Sequence, residues 1–327
     1  MRVVALVESF DHVCARYRMY AYIKPLAERG IALDLVEIPK HIPLRQKLFW
    51  NLKNCRVILL RKLLSWLDWR ILRSRAKWVG FDFDDAVYLR DSYSGKGFDD
   101  PRRTSRFNRI INESDAIVGG NNHLIQKALE CGTKGKTQVI PTCVDIKAYP
   151  PKSNYTTDNN LTLVWIGSSS TLQGLDRFRS ALEEMGKYVP QLKLKLICDK
   201  FLSFINLETT HCAWSEATEA IELAKADIGI SWIPDDPWSQ GKCGLKLIQY
   251  MAAGLPVIAN PVGVHPEMIS QGKNGFLVNS TDDWIEAANN LKNDQSMRKE
   301  LGINGRRYVE QLYSVEYGTK AWLDILK

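Results

Sequence analysis

Short β-branched runs alternate with longer segments of helical periodicity along nearly the whole chain, and this alternation limits the possible folds more than any other feature. It is typical of a parallel sheet with crossover helices. The strands predicted in a first series are residues 2–7, 32–36, 56–60, 77–83, 116–119 and 137–141, and those in a second series are residues 161–167, 193–198, 226–232, 256–260 and 275–278. The sequence therefore predicts an α/β protein with two doubly wound halves.

The two series are separated by residues 150–160, which contain turn formers and have no apolar periodicity. We expect an N-terminal domain over residues 1–150, a second domain over 151–310 and a closing amphipathic helix over 311–327. The length of 327 residues agrees with this division, since domains usually have about 100–200 residues. Doubly wound sheets bind ligands at the carboxyl ends of their strands, so we expect an active site in a crevice between the two halves.

Cysteine usage and hydropathy indicate the cellular setting. The seven cysteines are scattered and include no CxxC pair, which excludes a disulfide framework and a zinc ribbon. The apolar run at the start, MRVVALVESF, is too short for the core of a signal peptide. No stretch approaches the roughly 18 apolar residues of a membrane span. We therefore expect a cytoplasmic protein.

A polar loop leads into a predicted helix over residues 244–253, which Gly254 ends and Pro256 prevents from continuing. Amides at the start of a helix can hold a phosphate, and Lys242 and Lys246 would add positive charge one turn apart. The alternative is a plain helix with two solvated lysines, because glycine-rich helix starts are weak signals. The residue types alone leave both interpretations open.

Residues 226–278 resemble the nucleotide-binding half of glycosyltransferase family 4, whose GT-B fold consists of two Rossmann-like domains. The resemblance is carried by LIQYMAAGLPVIANPVGV and GKNGFLV, which follow one another at the family's spacing. It implies a nucleotide-diphosphate sugar as donor with no further cofactor, transfer with retention of anomeric configuration, and an acceptor site in the first domain. It also implies that the closing helix returns to the first domain.

The sequence departs from the family in its glutamates and in its basic residues. Family members usually carry two glutamates separated by seven residues, where this chain has Gly241 and Gln249. The first glutamate normally helps to bind the donor sugar and the second binds the ribose hydroxyls. Gln249 can still exchange hydrogen bonds with a diol, whereas Gly241 has no side chain to offer. The family's usual arginine and lysine after the first strand of this domain are also missing, so Lys242 and Lys246 are expected to neutralise the diphosphate.

Small residues follow the first strand of the second half, in the stretch WIGSSSTLQG. They could bring backbone amides close to a pyrophosphate, or they could form an ordinary turn between a strand and a helix. The resemblance favours the ligand. The predicted donor site comprises Gly167, Ser168, Ser169, Lys242, Gly244, Lys246 and Gln249.

Three aspartates, Asp82, Asp84 and Asp85, stand at the end of the predicted strand in FDFDDAVY. A D-x-D pattern alone would suggest a divalent metal. Because lysines are present to neutralise a diphosphate, we predict no metal. Asp84 or Asp85 could instead orient or deprotonate an acceptor hydroxyl, and Asp82 could bind the acceptor. Capping of the loop is the alternative role.

The first predicted strand is followed by CARYRMY, in which Arg16 and Arg18 are candidates for acceptor binding. Residues at this spacing point to different sides of a helix, so at most one should reach an acceptor. His123 follows another strand, at a position where some family members place a histidine near the donor sugar. A single histidine at a helix start also suits a structural or solvent-exposed role.

Positive charge is concentrated in residues 45–77, which contain ten Lys or Arg and one acid in a chain of net charge +7. Residues 61–77 are predicted to form a helix in which leucines and tryptophans lie beside arginines, as suits the headgroups of an anionic membrane. A crossover helix with solvated arginines is the alternative. A nucleic-acid partner is not expected.

We therefore expect a metal-independent glycosyltransferase that moves a sugar, a hexose, from a nucleotide-diphosphate sugar to an acceptor. The expected acceptor is a glycan, a glycolipid or a lipid-linked molecule at the inner face of the membrane. Two other functions stay open. One is a sugar-nucleotide epimerase or hydrolase on the same fold, and the other is a basic module that binds membranes or nucleic acid without any diphosphate pocket.

Overall fold

The computed structural model describes residues 1–157 and 160–327, so Asp158 and Asn159 of the predicted linker lie outside the described residues. The strands are β1 (Arg2–Val7), β2 (Ala32–Glu37), β3 (Arg56–Leu60), β4 (Trp78–Phe83), β5 (Ala116–Gly119), β6 (Lys136–Val139), β7 (Leu161–Ile166), β8 (Leu192–Cys198), β9 (Glu208–Ala213), β10 (Ile228–Ser231), β11 (Val257–Ala259) and β12 (Gly275–Leu277).

The α-helices are α1 (Val13–Arg18), α2 (Ile23–Ala27), α3 (Ile42–Asn51), α4 (Trp66–Arg75), α5 (Pro101–Glu113), α6 (Asn122–Glu130), α7 (Ser169–Arg177), α8 (Arg179–Tyr188), α9 (Glu219–Ala224), α10 (Leu245–Ala252), α11 (His265–Met268), α12 (Thr281–Asn293), α13 (Gln295–Leu312) and α14 (Val315–Leu326). Short 3-10 helices cover Tyr20–Tyr22, Ile146–Ala148 and Ser239–Gly241.

The first sheet has six parallel strands in the order β2-β1-β3-β4-β5-β6. The four inner strands, β1, β3, β4 and β5, are mostly apolar because both of their faces are covered. In β1, Val4 and Leu6 join a core with α3 to α6, while Ala5 and Val7 join a second core with α1, α2 and α14. This two-sided burial explains the continuous apolar runs in the sequence. The order of the strands reverses between β1 and β3, which makes this a topological switch point.

The second sheet also has six parallel strands, in the order β12-β11-β10-β7-β8-β9. Leu163 and Trp165 of β7 lie in a core with α7, α8 and α12. The order reverses between β7 and β10, and this is the switch point of the second sheet. The predicted fold class of two doubly wound parallel sheets is therefore confirmed.

The chain divides into two compact units by its internal contacts. The first unit contains residues 1–143, 236–243 and 315–327, and the second contains residues 144–235 and 244–314. Within the first unit, α14 packs on α2 and β6, and the Trp322 ring lies edge-on to Tyr22 at 6.2 Å between centroids. No helix in the described part of the chain is both long and apolar enough to span a membrane.

Three examples show where the described residues differ from the sequence prediction. Strand β9 was not predicted, because its side chains are polar and mostly exposed at the edge of the sheet. Helix α3 was not predicted, because Phe49 is its one buried residue and no apolar stripe marks it. The predicted helix over residues 61–77 is wrong at its start: Arg61 has a left-handed φ of 48°, and Ser65 caps the helix that begins at Trp66.

Candidate functional site

Five side chains meet at the switch point of the first sheet, and we call them the switch-point cluster: Cys14, Arg61, Asp84, Asp85 and Lys242. Cys14 lies in α1, just after β1, while Arg61 directly follows β3 and the two aspartates follow β4. Lys242 comes from the loop 236–243, which belongs to the same unit. The carboxyl ends of adjacent parallel strands thus supply most of the cluster.

Arg61 holds the cluster together. Its Nη2 lies 3.0 Å from Asp85 Oδ2 and its Nη1 lies 3.5 Å from Asp84 Oδ1. The same Nη1 donates to Cys14 Sγ at 2.6 Å. The left-handed backbone at Arg61 is costly for a residue with a side chain, and such strain persists only where surrounding contacts impose it. Here the Arg61 amide donates to the carbonyl of Asp82 at 2.7 Å.

Lys242 forms an ion pair with Asp85, at 2.9 Å between Nζ and Oδ1. Burial alone would raise the pKa of Asp85, but Lys242 and Arg61 together lower it. Burial alone would lower the pKa of Lys242, and Asp85 raises it. Both groups therefore stay charged at neutral pH. Lys242 Nζ also lies 5.0 Å from the centroid of the Trp238 ring, a favourable cation–π distance.

The loop 236–243 is fixed to the first sheet by backbone and side-chain contacts. Asn121 donates to the Lys242 carbonyl at 3.0 Å, and the Cys243 thiol donates to the Asp84 carbonyl at 3.1 Å. A Cβ added at Gly241 would lie 2.7 Å from the Ala86 nitrogen, and one added at Gly120 would lie 2.3 Å from Cys243 Sγ. Both positions require glycine because the loop 236–243 and the first sheet's loops approach each other so closely.

Cys14, Asp84 and Asp85 could together offer metal ligands, since one potential ligand atom from each lies within 4.8 Å of the others. Arg61 contacts all three of these residues, and Lys242 contacts Asp85 as well. A cation would have to compete with both of these charges. Burial also raises the pKa of the Cys14 thiol well above its ordinary value, so the thiolate that binds metals is disfavoured. The donor set therefore fits a metal poorly.

The predicted acceptor residues Arg18 and Asp82 form an ion pair with each other, and both side chains are at most 1% exposed. Arg18 Nε lies 3.0 Å from Asp82 Oδ2. Burial raises the pKa of Asp82 to about 6, against the effect of Arg18. A role of either residue in acceptor binding would require this pair to open, and it stays a prediction.

The other two candidates in the first unit lie apart from this ion pair. The Arg16 guanidinium lies over the ring of Tyr17 at 4.8 Å. His123 lies at the start of α6 with its Nε2 3.5 Å from the Tyr88 hydroxyl, and burial lowers its pKa. Neither contact identifies a ligand, so both assignments stay predictions.

In the second unit, Gly167 and Ser168 form the turn from β7 into α7, and Ser169 is the first residue of that helix. A Cβ at Gly167 would lie 2.4 Å from the Trp165 ring, which explains the glycine. The Ser169 amide, expected at a pyrophosphate, donates to Asp199 Oδ1 at 2.6 Å. Asp199 directly follows β8. The amide is therefore available to a ligand only if Asp199 releases it.

Helix α10 carries the remaining predicted donor residues. Gly244 precedes it with a left-handed φ of 66°, and a Cβ there would lie 2.4 Å from Met268 Sδ. Lys246 Nζ lies 5.2 Å from the centroid of the Trp165 ring, near the end of β7. Gln249 is 4% exposed, and its Nε2 donates to the Tyr149 hydroxyl at 3.1 Å. Lys246 thus lies near the switch point of the second sheet.

Three polar residues at the ends of strands or the start of a helix were not among the predicted site residues: Arg61, Asp199 and His265. His265 is buried at the start of α11, with Nδ1 2.8 Å from the Asn260 carbonyl and Nε2 3.4 Å from Ser231 Oγ. Burial lowers its pKa to about 4. Arg61 and Asp199 each directly follow a parallel strand, and this position was the signal that could have found them.

Residues 237–308 match the family model of "Glycosyl transferases group 1". A protein of Methanocaldococcus jannaschii described as an uncharacterized glycosyltransferase, MJ1178, is 25% identical over 232 residues, which cover 69% of this chain and 61% of that protein. The chain spans less than two thirds of the length of the curated relatives it matches. The resemblance inferred from residues 226–278 is confirmed.

Two solved structures are similar along the whole chain. Sucrose-phosphate synthase from Thermosynechococcus elongatus has a TM-score of 0.77 at 17% identity, covering 100% of this chain and 98% of that one. Anabaena Alr3699/HepE, in a complex with UDP and glucose, has a TM-score of 0.70 at 15% identity, covering 100% of this chain and 99% of that one. These similarities confirm the predicted GT-B fold.

Proposed function

We propose that this chain, similar over residues 237–308 to group 1 glycosyl transferases, transfers a sugar from a nucleotide-diphosphate donor to an acceptor hydroxyl. That family match is the observation that carries the proposal. The relatives named as glycosyltransferases support it, as does the binding of UDP and glucose by HepE. By the same resemblance, the reaction retains the anomeric configuration and the acceptor is a glycan, a glycolipid or a lipid-linked sugar.

Lys246 is the proposed cation for the donor diphosphate in the second unit. Lys246 lies near the carboxyl end of β7 and in the first turn of α10. This position supports the proposal, because anionic ligands bind at helix starts and at the switch points of parallel sheets. The turn at Gly167 and Ser168 would approach the same phosphates. Gln249 is proposed to contact the ribose. The cation and the helix start would stabilise the charge that develops on the leaving diphosphate.

Lys242 is proposed as a second cation for the leaving group. To bind a phosphate, Lys242 would first have to give up its ion pair with Asp85. One charge-assisted contact to Asp85 at 2.9 Å would be exchanged for a contact to phosphate. Such an exchange keeps the lysine paired throughout, so no isolated charge is left in a partly buried position. Asp85 would then retain Arg61 as its partner.

Asp84 is the better candidate to receive the acceptor proton. Both carboxylate oxygens of Asp85 are engaged, one by Lys242 and one by Arg61. Asp84 Oδ1 is buried and has no hydrogen-bond donor among the described residues, although Arg61 lies 3.5 Å away. As the acceptor oxygen bonds to the anomeric carbon and the diphosphate leaves, Asp84 would take up the hydroxyl proton.

A panel of UDP, GDP and ADP tests donor binding by calorimetry and thermal melting. One diphosphate should raise the melting temperature, because a ligand at a hundred times its Kd stabilises the folded state by about 2.7 kcal/mol. Lys246→Ala should weaken that binding and lower donor turnover about a hundredfold. Lys299→Ala, which removes an exposed lysine from the same unit, is the matched control. Failure of all three diphosphates to bind would refute the proposal.

Activity should persist in excess chelator, since the proposed diphosphate site uses lysines and a helix start in place of a divalent ion. Loss of activity that manganese or magnesium restores would refute metal independence. Incubation of the donor without acceptor separates transfer from the two enzymatic alternatives. Free sugar would indicate a hydrolase, and an epimerised donor would indicate an epimerase.

We also propose that α3 and α4 contact an anionic membrane. The two helices are joined by an ion pair between Arg45 and Asp68 at 2.9 Å. They expose Trp50 and Trp66, each 56% accessible. Arg75 lies over Trp50 at 4.1 Å and Arg70 lies over Trp66 at 5.3 Å. Aromatic and cationic side chains side by side suit the headgroup region.

Vesicles that contain phosphatidylserine test this surface. Lys47 and Arg70 are exposed, whereas Arg73 is paired with Asp115 and is better left intact. Changing Lys47 and Arg70 together to Gln should reduce vesicle binding by roughly 30-fold, at about 1 kcal/mol for each charge. Tyr188→Ser removes an exposed aromatic ring from the second unit and should have no effect. Binding that is absent in the parent would refute membrane contact.

A further inference from the structure

Gln249 lies at one end of a buried chain of hydrogen bonds within the second unit. Its Nε2 donates to the Tyr149 hydroxyl at 3.1 Å, and that hydroxyl donates to Glu219 Oε1 at 3.3 Å. The Trp214 indole donates to the other oxygen of Glu219 at 2.8 Å. Gln249, Tyr149 and Glu219 are 4%, 3% and 2% exposed. Residues distant in the sequence thus place a buried carboxylate two hydrogen bonds behind Gln249.

The carboxylate sets the direction of every bond in this chain. Both oxygens of Glu219 accept, one from the Trp214 indole and one from Tyr149, so the hydroxyl of Tyr149 points its proton at Glu219. The phenolic oxygen then has a lone pair free to accept from Gln249, so Gln249 must donate with its amino group. The indole of Trp214 can only donate, and it reinforces the same direction. The side-chain amide of Gln249 is therefore held with Nε2 toward Tyr149 and with its carbonyl oxygen Oε1 directed away from Tyr149.

The orientation of this amide determines which ligand group it can bind. A carbonyl accepts from hydroxyl groups, whereas an amino group would donate to phosphate oxygens. We infer that Glu219, acting through Tyr149, positions Gln249 so that its carbonyl accepts from a ribose hydroxyl of the bound nucleotide. This inference depends on the proposed function, which gives Gln249 its contact with the donor. Tyr149 and Glu219 are thus positioning residues.

Two variants disrupt the chain at different points. Glu219→Gln can donate as well as accept, so it permits Tyr149 to reverse and the Gln249 amide to turn over. Tyr149→Phe removes the hydroxyl that carries the direction to Gln249, and it serves if the first variant does not fold. Tyr155→Phe is the matched control, because it removes a buried phenol of the same unit that donates to the Gly254 carbonyl at 2.8 Å.

The measurement is the ratio of Kd values for UDP and for its 2′-deoxy and 3′-deoxy forms, determined by calorimetry. If GDP or ADP binds the parent instead, that nucleotide and its deoxy forms are used. The parent should prefer the ribonucleotide over at least one deoxy form by about tenfold or more, and both variants should reduce this preference to about threefold or less. Tyr155→Phe should keep the full preference even if it lowers the melting temperature.

A purely structural role for the chain would weaken ribonucleotide and deoxynucleotide binding equally, leaving the ratio unchanged. Retention of the parent ratio in both variants would therefore overturn the inference while leaving the proposed function intact. If no nucleoside diphosphate binds the parent, the proposed function fails and the inference fails with it. The two failures are distinguished by whether the parent binds.

Discussion

Gly241 stands where the resemblance expects a glutamate, and its surroundings explain why a side chain is missing. An added Cβ would lie 2.7 Å from the nitrogen and 2.9 Å from the Cβ of Ala86. Backbone atoms cannot move aside as the end of a flexible side chain can. The loop 236–243 thus lies against the residues after β4 at a distance that a glutamate would not permit.

We expect Gly241→Ala to lower the free energy of unfolding by about 1–3 kcal/mol, as overpacking of a tight contact does. Urea denaturation measures this change. Gly95→Ala is the control, because a Cβ at Gly95 meets no atom within 4 Å, and it should change stability by about 0.5 kcal/mol or less. Equal stabilities of the two variants would contradict the account of Gly241.

His265 should make stability depend on pH in the mildly acidic range. Burial lowers its folded-state pKa to about 4, while the unfolded chain binds the proton near pH 6.5. As pH falls from 6.5 to 4, the unfolded state gains a proton that the folded state does not, so stability should fall by up to about 3 kcal/mol. Above pH 6.5 this contribution should be fully present.

Denaturation of His265→Gln between pH 7 and pH 4 checks this origin. The variant should lose most of the pH dependence that the parent shows, because it removes the titrating group. His41→Gln changes an exposed histidine and should keep the parent's slope. The assignment to His265 is incorrect if both variants retain the full dependence.

Site residues could be predicted from the sequence where they directly follow a predicted strand. Asp84 and Asp85 were found because they end an apolar run, and Arg61 obeys the same rule after RVILL. Arg61 was assigned to a helix because the leucines that follow it have helical spacing. The contact of Lys242 with Asp85 joins residues 157 positions apart, and no local pattern carries that information.

Helix α4 shows how a cap, more than apolar spacing, sets where a helix begins. Ser65 Oγ accepts from the Asp68 amide at 3.2 Å, and this satisfies one of the unpaired amides of the first turn. Trp69 and Leu72 are fully buried beneath the helix. The prediction placed the start of the helix at residue 61 because it did not recognise Ser65 as the cap. The predicted helix therefore included the loop that contains Arg61.

Ser65→Ala should destabilise the first unit by about 1 kcal/mol, the usual effect of losing a serine cap. Chemical denaturation gives the energy, and amide hydrogen exchange should accelerate first in residues 66–69. Ser74→Ala lies in the same helix, where the hydroxyl donates to the Ile71 carbonyl on an exposed face, and it should be nearly neutral. Equal losses in the two variants would argue against the cap.

The chain passes from one unit to the other four times, after residues 143, 235, 243 and 314. The alternation of strands and helices was enough to predict two parallel sheets. It could not predict that residues 236–243 pack with the first unit, since that depends on contacts such as the one between Asn121 and Lys242. Side-chain fit between distant segments decided this part of the architecture.

Trp322→Ala should destabilise the first unit by about 3–5 kcal/mol, because Trp322 is 1% exposed and contacts Tyr22 in that core. Hydrogen exchange should accelerate across residues 1–143 and also in the loop 236–243, which belongs to the same unit. Trp284→Ala, an equally buried change in the second unit, should accelerate exchange mainly in residues 144–235 and 244–314. Identical exchange patterns would contradict the division.

The place of α14 in the core of the first unit also affects the timing of synthesis. The six strands of the first sheet are all synthesised before residue 143, but Trp322, Ile325 and Leu326 follow about 180 residues later. At about 5–20 residues per second, that delay is roughly 10–40 s. During this interval one face of the nascent sheet lacks its final apolar cover, so chaperones that bind exposed apolar surface have their longest opportunity on the N-terminal part of the chain.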